Sequence, residues 1–159
     1  QALAMKEETR MNLRVLAAGL VILKLIIVGG LTAAERSSDE PQAVCPISGG
    51  PIKKSASTDY LDGKVYFCCG GCISKFTADT EKYATKANRQ LVLTGQAAQT
   101  ACPLTGRGTK EDTALAVAGV DVTFCCGGCR GKVDEAEATD QLKLVFGDGF
   151  TKGFTVAKQ

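Results

Sequence analysis

The sequence contains no histidine and no tryptophan. Without imidazole, the commonest general base and the commonest nitrogen ligand for a transition metal are both missing. Any soft-metal site must then be built from thiolate, with carboxylate a poor second. Excess charge of one sign is also lacking: beyond residue 34 there are fifteen Lys/Arg and fifteen Asp/Glu. That balance offers no electrostatic surface for nucleic acid, and none is expected as a partner. The repeating unit described next is only about fifty residues, and domains of that size lean on a metal or on disulfides to supplement a small core.

What the chain does have is cysteine in a pattern. Phe67-Cys68-Cys69-Gly70-Gly71-Cys72 returns letter for letter as Phe124-Cys125-Cys126-Gly127-Gly128-Cys129. Each copy follows a Cys-Pro-x-(Ser/Thr)-Gly element, Cys45-Pro46-Ile47-Ser48-Gly49 and Cys102-Pro103-Leu104-Thr105-Gly106. All eight cysteines fall at one offset of 57 residues, four per copy. The chain is a tandem duplication of a cysteine module, with module one at residues 45–100 and module two at residues 101–159.

Residues 1–34 read as a signal or membrane-anchor segment with an apolar helix. The natural start is expected at Met5 or Met11. Arg14 supplies a basic n-region, residues 15–30 are apolar apart from Lys24, and Thr32-Ala33-Ala34 offers small residues for cleavage. Cleavage makes the protein exported, periplasmic or of the cell envelope; an uncleaved segment makes it membrane-anchored, and an ordinary helix is the third reading. Residues 35–44 form a short linker containing Pro41.

Within module one, Pro46 and Gly49-Gly50 predict a tight turn that points backbone N–H groups at a thiolate. Residues 53–57 read as a loop. Residues 58–61 and 64–67 flank Asp62-Gly63, a favoured two-residue hairpin turn. Gly70-Gly71 permits a reversal, and a helix begins near Cys72 with Ile73, Phe76, Tyr83 and Ala87 on one face. Asp79 is placed to break that helix and cap its restart. Residues 90–94 read as a short apolar strand ended by Gly95. Module two repeats the order: residues 114–117 and 120–124 flank Ala118-Gly119, and residues 130–138 give a short helix. Residues 141–147 then match 90–95 at an offset near 51, so about two helical turns are lost. Phe150 and Phe154 are expected to cover the core this leaves open. The fold class is α+β: two tandem treble-clef-like modules of knuckle, β-hairpin, second knuckle, helix and short strand.

Four thiols per module suit zinc, copper(I) or an iron–sulfur cluster. A helix N-terminus also favours the thiolate. The spacing places Cys45 with Cys68 or Cys69 and Cys72, and Cys102 with Cys125 or Cys126 and Cys129. Sulfurs about 2.3 Å from one centre stand about 3.5–4 Å apart. Because Cys69-Gly70-Gly71-Cys72 has knuckle spacing of its own, either member of each adjacent pair can be the ligand. Cys69 and Cys126 are therefore fourth ligands or small buried hydrophobes.

The Cys-Pro-x-(Ser/Thr)-Gly start, the hairpin Tyr60-Leu61-Asp62-Gly63-Lys64-Val65-Tyr66, Phe67-Cys68-x3-Cys72 and Lys75-Phe76-x2-Asp79-x-Glu81-Lys82-Tyr83 resemble the YHS/TRASH group of small metal-associated modules. The resemblance covers Cys45 to about Ala87 well and Cys102 to about Val133 weakly. It implies heavy-metal handling, often of copper or zinc, with Cys45, Cys68 and Cys72 as ligands, and Cys102, Cys125 and Cys129 in the copy. Some members carry a second cysteine in the first knuckle, where Ser48 and Thr105 stand here, and a proline where Thr80 stands.

These readings converge on an exported, non-enzymatic protein that binds one transition metal ion per module, zinc or copper(I), with another metal-handling protein as a partner. Two alternatives remain at this stage. One is a disulfide-stapled or zinc-stabilised structural module that presents an interaction face. The other is thiol–disulfide exchange through the Cys-Gly-Gly-Cys motifs, against which no βαβ redox scaffold surrounds them.

Overall fold

The computed structural model describes residues 42–158. The signal or anchor segment and most of the linker lie outside the described residues. Within them the fold is α+β, with both copies in one compact unit, Asp39–Gln159. No helix among the described residues is long and apolar enough to cross a membrane.

Each copy begins with an antiparallel hairpin. In copy one, β1 (Lys53–Tyr60) pairs with β2 (Gly63–Phe67); in copy two, β4 (Lys110–Val117) pairs with β5 (Val120–Phe124). The inner strands alternate strictly. Gly63, Val65 and Phe67 are buried in β2, as are Val120, Val122 and Phe124 in β5. That period of two turns one face of each hairpin to the core.

Two hairpin expectations need correction. Residues 53–57 are not a loop: they belong to β1, whose register shifts from Lys53↔Phe67 to Ser57↔Tyr66 through a bulge. The polar run Lys53-Lys54-Ser55 lies exposed along this edge, which hides the strand in the sequence. The turn is Leu61-Asp62 instead of Asp62-Gly63, because Tyr60 pairs with Gly63. Leu61 takes the left-handed φ of 52° and is exposed. Gly63 serves packing: a Cβ there would lie 3.0 Å from Gln96 Oε1 and 3.1 Å from Leu91 Cδ2. In copy two the turn is Ala118-Gly119, as expected, with φ of 49° and 80°.

Helices follow both hairpins. The first, α1 (Gly70–Ala78), stops at Asp79, whose carboxylate accepts from Lys82 N–H at 3.2 Å and so caps α2 (Thr80–Leu93). Residues 90–93 are thus the end of a helix, not a strand. Ala87 and Leu91 continue its apolar stripe at a spacing of four, and both are fully buried. A short apolar run does not by itself distinguish the two structures. Gly95, at φ 71°, ends the segment. Copy two breaks the same path into α3 (Gly127–Asp134), α4 (Ala138–Leu142) and a π-helical turn, Lys143–Gly147. The matching expectation for residues 141–147 is corrected in the same way.

The chain closes with α5 (Phe150–Gly153) and β6 (Phe154–Val156), and β6 pairs antiparallel with β3 (Ala97–Gln99) of the connection between copies. Phe150 and Phe154 are buried and stacked at 5.4 Å, so they do fill the core of copy two. Phe67, Phe76, Phe124 and Phe146 are fully enclosed, each contributing about 1.5–3 kcal/mol of burial. Asn88 ties the copies together: its side-chain N–H donates to Phe146 O at 2.8 Å, and its carbonyl accepts from Tyr60 OH at 3.0 Å.

Candidate metal centres

The first cysteine of each copy sits in a tight backbone knuckle. Cys45 N–H donates to Gly50 O at 2.9 Å and Gly49 N–H to Cys45 O at 2.8 Å; the copy has Cys102 to Arg107 O at 2.8 Å and Gly106 to Cys102 O at 2.7 Å. Gly49 and Gly106 close these turns with φ of 73° and 72°, a region that favours glycine.

A glutamine, buried Gln90 in copy one and half-buried Gln99 in copy two, braces each knuckle to its hairpin. Gln90 Nε2 donates to Val44 O and Tyr66 O, both at 2.8 Å, while its Oε1 accepts from Tyr66 N–H at 2.7 Å. In copy two, Gln99 Nε2 donates to Ala101 O at 3.0 Å and Thr123 O at 2.6 Å, and its Oε1 accepts from Thr123 N–H at 3.0 Å. The braced backbone positions correspond at the repeat offset, but the glutamines do not: one comes from α2, the other from β3.

The end of each inner strand delivers the second knuckle. Cys68 follows β2, Cys69 precedes the first turn of α1, and Cys72 lies within that turn. Gly70 and Gly71 are ordinary helical residues, not a left-handed reversal. A Cβ on Gly70 would meet nothing within 4 Å, and the same holds for Gly127, so both positions border open space.

The sulfurs converge. Cys45, Cys68 and Cys72 lie within 4.8 Å of one another, as do Cys102, Cys125 and Cys129, and each triad could hold a metal ion. The Cys68–Cys72 separation is 3.5 Å and that of Cys125–Cys129 is 3.6 Å. Sulfurs each about 2.3 Å from one metal stand about 3.5–4 Å apart, the range in which these two separations fall. Cys45 and Cys102 are buried at the inner side. All eight cysteines are free thiols.

Cys69 and Cys126 stand outside the triads. Cys69 is exposed, 3.8 Å from Cys68 and 3.7 Å from Cys72; Cys126 is 3.9 Å from Cys125 and half-buried.

The surroundings prepare part of each cluster as thiolate. Burial pushes Cys45 up, but hydrogen bonds from the Ser48 hydroxyl and from backbone N–H groups of Ser48, Cys68 and Ile47 outweigh it and bring it to about 6. Cys69 and Cys126 are lowered, chiefly by the backbone N–H groups of Cys72 and Cys129 at the helix starts. Cys125 is lowered first by the Thr105 hydroxyl, against burial. Cys72 is pushed up to about 12, first by its contact with Cys68 and then by burial; burial comes first for Cys129, also about 12. Within a crowded thiol cluster, one sulfur carries charge while its neighbour keeps the proton.

Sequence reasoning missed three contributors. Ser48 and Thr105 place hydroxyls 3.3 Å from Cys68 and Cys125. Arg107 Nη2 lies 3.6 Å from Cys125 Sγ. The two hydroxyls stand where the resembled group sometimes has a cysteine, which was the available signal; nothing in the repeat flagged Arg107.

No protein-family model, curated protein or solved structure matches the chain.

Proposed function

We propose that this is an exported metal-binding protein, with one thiolate site per copy, that carries copper(I) or a similarly soft ion and passes it to another metal-handling protein. The observation that carries this reading is the pair of cysteine triads, each within 4.8 Å. With no histidine in the chain and no carboxylate in either triad, the donor set is sulfur alone. Three thiolates suit copper(I) with room for exchange, whereas a closed zinc site takes four. Eight free thiols support metal over structural disulfides. Residues 11–34 support export, and the resemblance to the YHS/TRASH group supports metal handling. The role is binding and transfer, not catalysis.

Native mass spectrometry of anaerobically purified protein, with a free-thiol count after chelation, tests the reading. Two bound metal ions and eight titratable thiols are expected. A metal-free protein with four disulfides would overturn it.

A further inference from the structure

The fourth cysteine of each copy is exposed or half-buried, outside the triad, and present in both copies. Its sulfur lies beside ligand sulfurs. In copy one the distances are Cys68–Cys72 3.5 Å, Cys69–Cys72 3.7 Å and Cys68–Cys69 3.8 Å. Cys68, Cys69 and Cys72 are therefore a second set of three sulfurs with the spacing one metal ion requires. Two triads share an edge: an inner one closed by buried Cys45 and an outer one closed by exposed Cys69.

Resting on the metal-binding reading above, we infer that each site has two stations, and that the ion moves from the inner triad to the outer triad before it leaves. In copy one the ion rests on Cys45, Cys68 and Cys72 and moves to Cys68, Cys69 and Cys72. In copy two, Cys126 takes the part of Cys69: it is 3.9 Å from Cys125, which in turn is 3.6 Å from Cys129.

The step is a ligand exchange at constant oxidation state. Cys69 forms a metal–sulfur bond and gives its proton to solvent. The bond to Cys45 breaks, and the Cys45 sulfur takes a proton or remains a thiolate stabilised by the knuckle N–H groups. Cys68 and Cys72 stay bound, so the ion never loses more than one ligand. Cys69 is exposed, so a thiolate or other soft donor of an acceptor can approach the ion there. The inner station holds the ion; the outer one presents it.

The test loads full-length wild type, Cys69→Ser/Cys126→Ser and Cys45→Ser/Cys102→Ser with copper(I) anaerobically. Native mass spectrometry counts the ions, and stopped-flow transfer to bathocuproine disulfonate gives the rate. Cys69→Ser/Cys126→Ser should keep two ions but transfer them about tenfold more slowly. Cys45→Ser/Cys102→Ser, left with the outer station alone, should still bind copper and release it faster than wild type. An unchanged transfer rate in the first variant overturns the inference. So does loss of ions from that variant, which makes Cys69 and Cys126 resident ligands. Both results leave metal binding by wild type standing. A wild type that takes up no copper(I) overturns the metal-binding reading itself, and the two stations with it.

Discussion

Arg107 sets its Nη2 3.6 Å from the Sγ of Cys125, and the residue at the corresponding place in copy one is Gly50. A guanidinium beside a thiolate is a charge-assisted contact, and only one of the two sites has it. Arg107 is exposed, so solvent screens much of the effect. Arg107→Gln should weaken copper(I) binding in copy two by about twofold to fivefold and leave copy one unchanged. Chelator competition resolving two affinities checks this, and the gap between sites should narrow at high salt.

Cys72→Ser should remove one bound ion and spare the other, and Cys129→Ser should do the converse. Each triad draws its sulfurs from one copy only. Native mass spectrometry would read one ion in either variant and none in the double variant. Two ions retained in Cys72→Ser would remove Cys72 from the ligand set.

Metal affinity should fall as pH falls, because protons compete with the ion for sulfur. Cys72 and Cys129, both at about 12, hold protons at neutral pH and must release them on loading. Cys45, at about 6, is already a thiolate there. Below that value Cys45 must lose a proton as well, so the decline for copy one should steepen. Competition titrations from about pH 8 to about pH 5, with proton release measured in weak buffer, check the sign and the break.

Gln90→Leu should destabilise the metal-free protein by about 2–4 kcal/mol, since Val44 O and both backbone groups of Tyr66 lose their side-chain partner. Urea denaturation measures the loss. Copper(I) binding in copy one should weaken more than in copy two, because the brace holds the Cys45 knuckle.

Gly153→Ala should cost about 1–3 kcal/mol by overpacking. A Cβ at Gly153 would lie 2.8 Å from the Cα of Pro103. That proline directly follows Cys102, so binding in copy two should weaken alongside stability. Thermal unfolding with copper titration separates the two effects.

Much of this was legible in the chain. The 57-residue offset shows the duplication, the glycine-containing hairpin turns locate the inner strands, and Asp79 marks the helix break. The triads were also legible as alternatives, since Cys-Cys-Gly-Gly-Cys leaves open which adjacent thiol faces inward. The structure brings Cys68 within 4.8 Å of both Cys45 and Cys72 and leaves Cys69 exposed beside them, and no local pattern encodes that. Residues 90–93 misled because four apolar-rich positions fit either period. Gly63 misled because a glycine beside aspartate signals a turn, while here its missing Cβ admits Gln96 and Leu91. The braces were invisible to comparison of the copies, because Gln90 and Gln99 do the same job from unmatched positions.

The pairing of residues 97–99 with 154–156 bears on how the protein is made. Gly63 of the first hairpin also packs against the side chain of Val156, 3.3 Å from where its Cβ would be. The half synthesised first therefore lacks part of its final packing until the last strand has left the ribosome. Metal ions met during synthesis encounter thiols not yet held in either knuckle by the finished fold. The site of copy two, whose Pro103 packs against Gly153, is therefore the last to be completed.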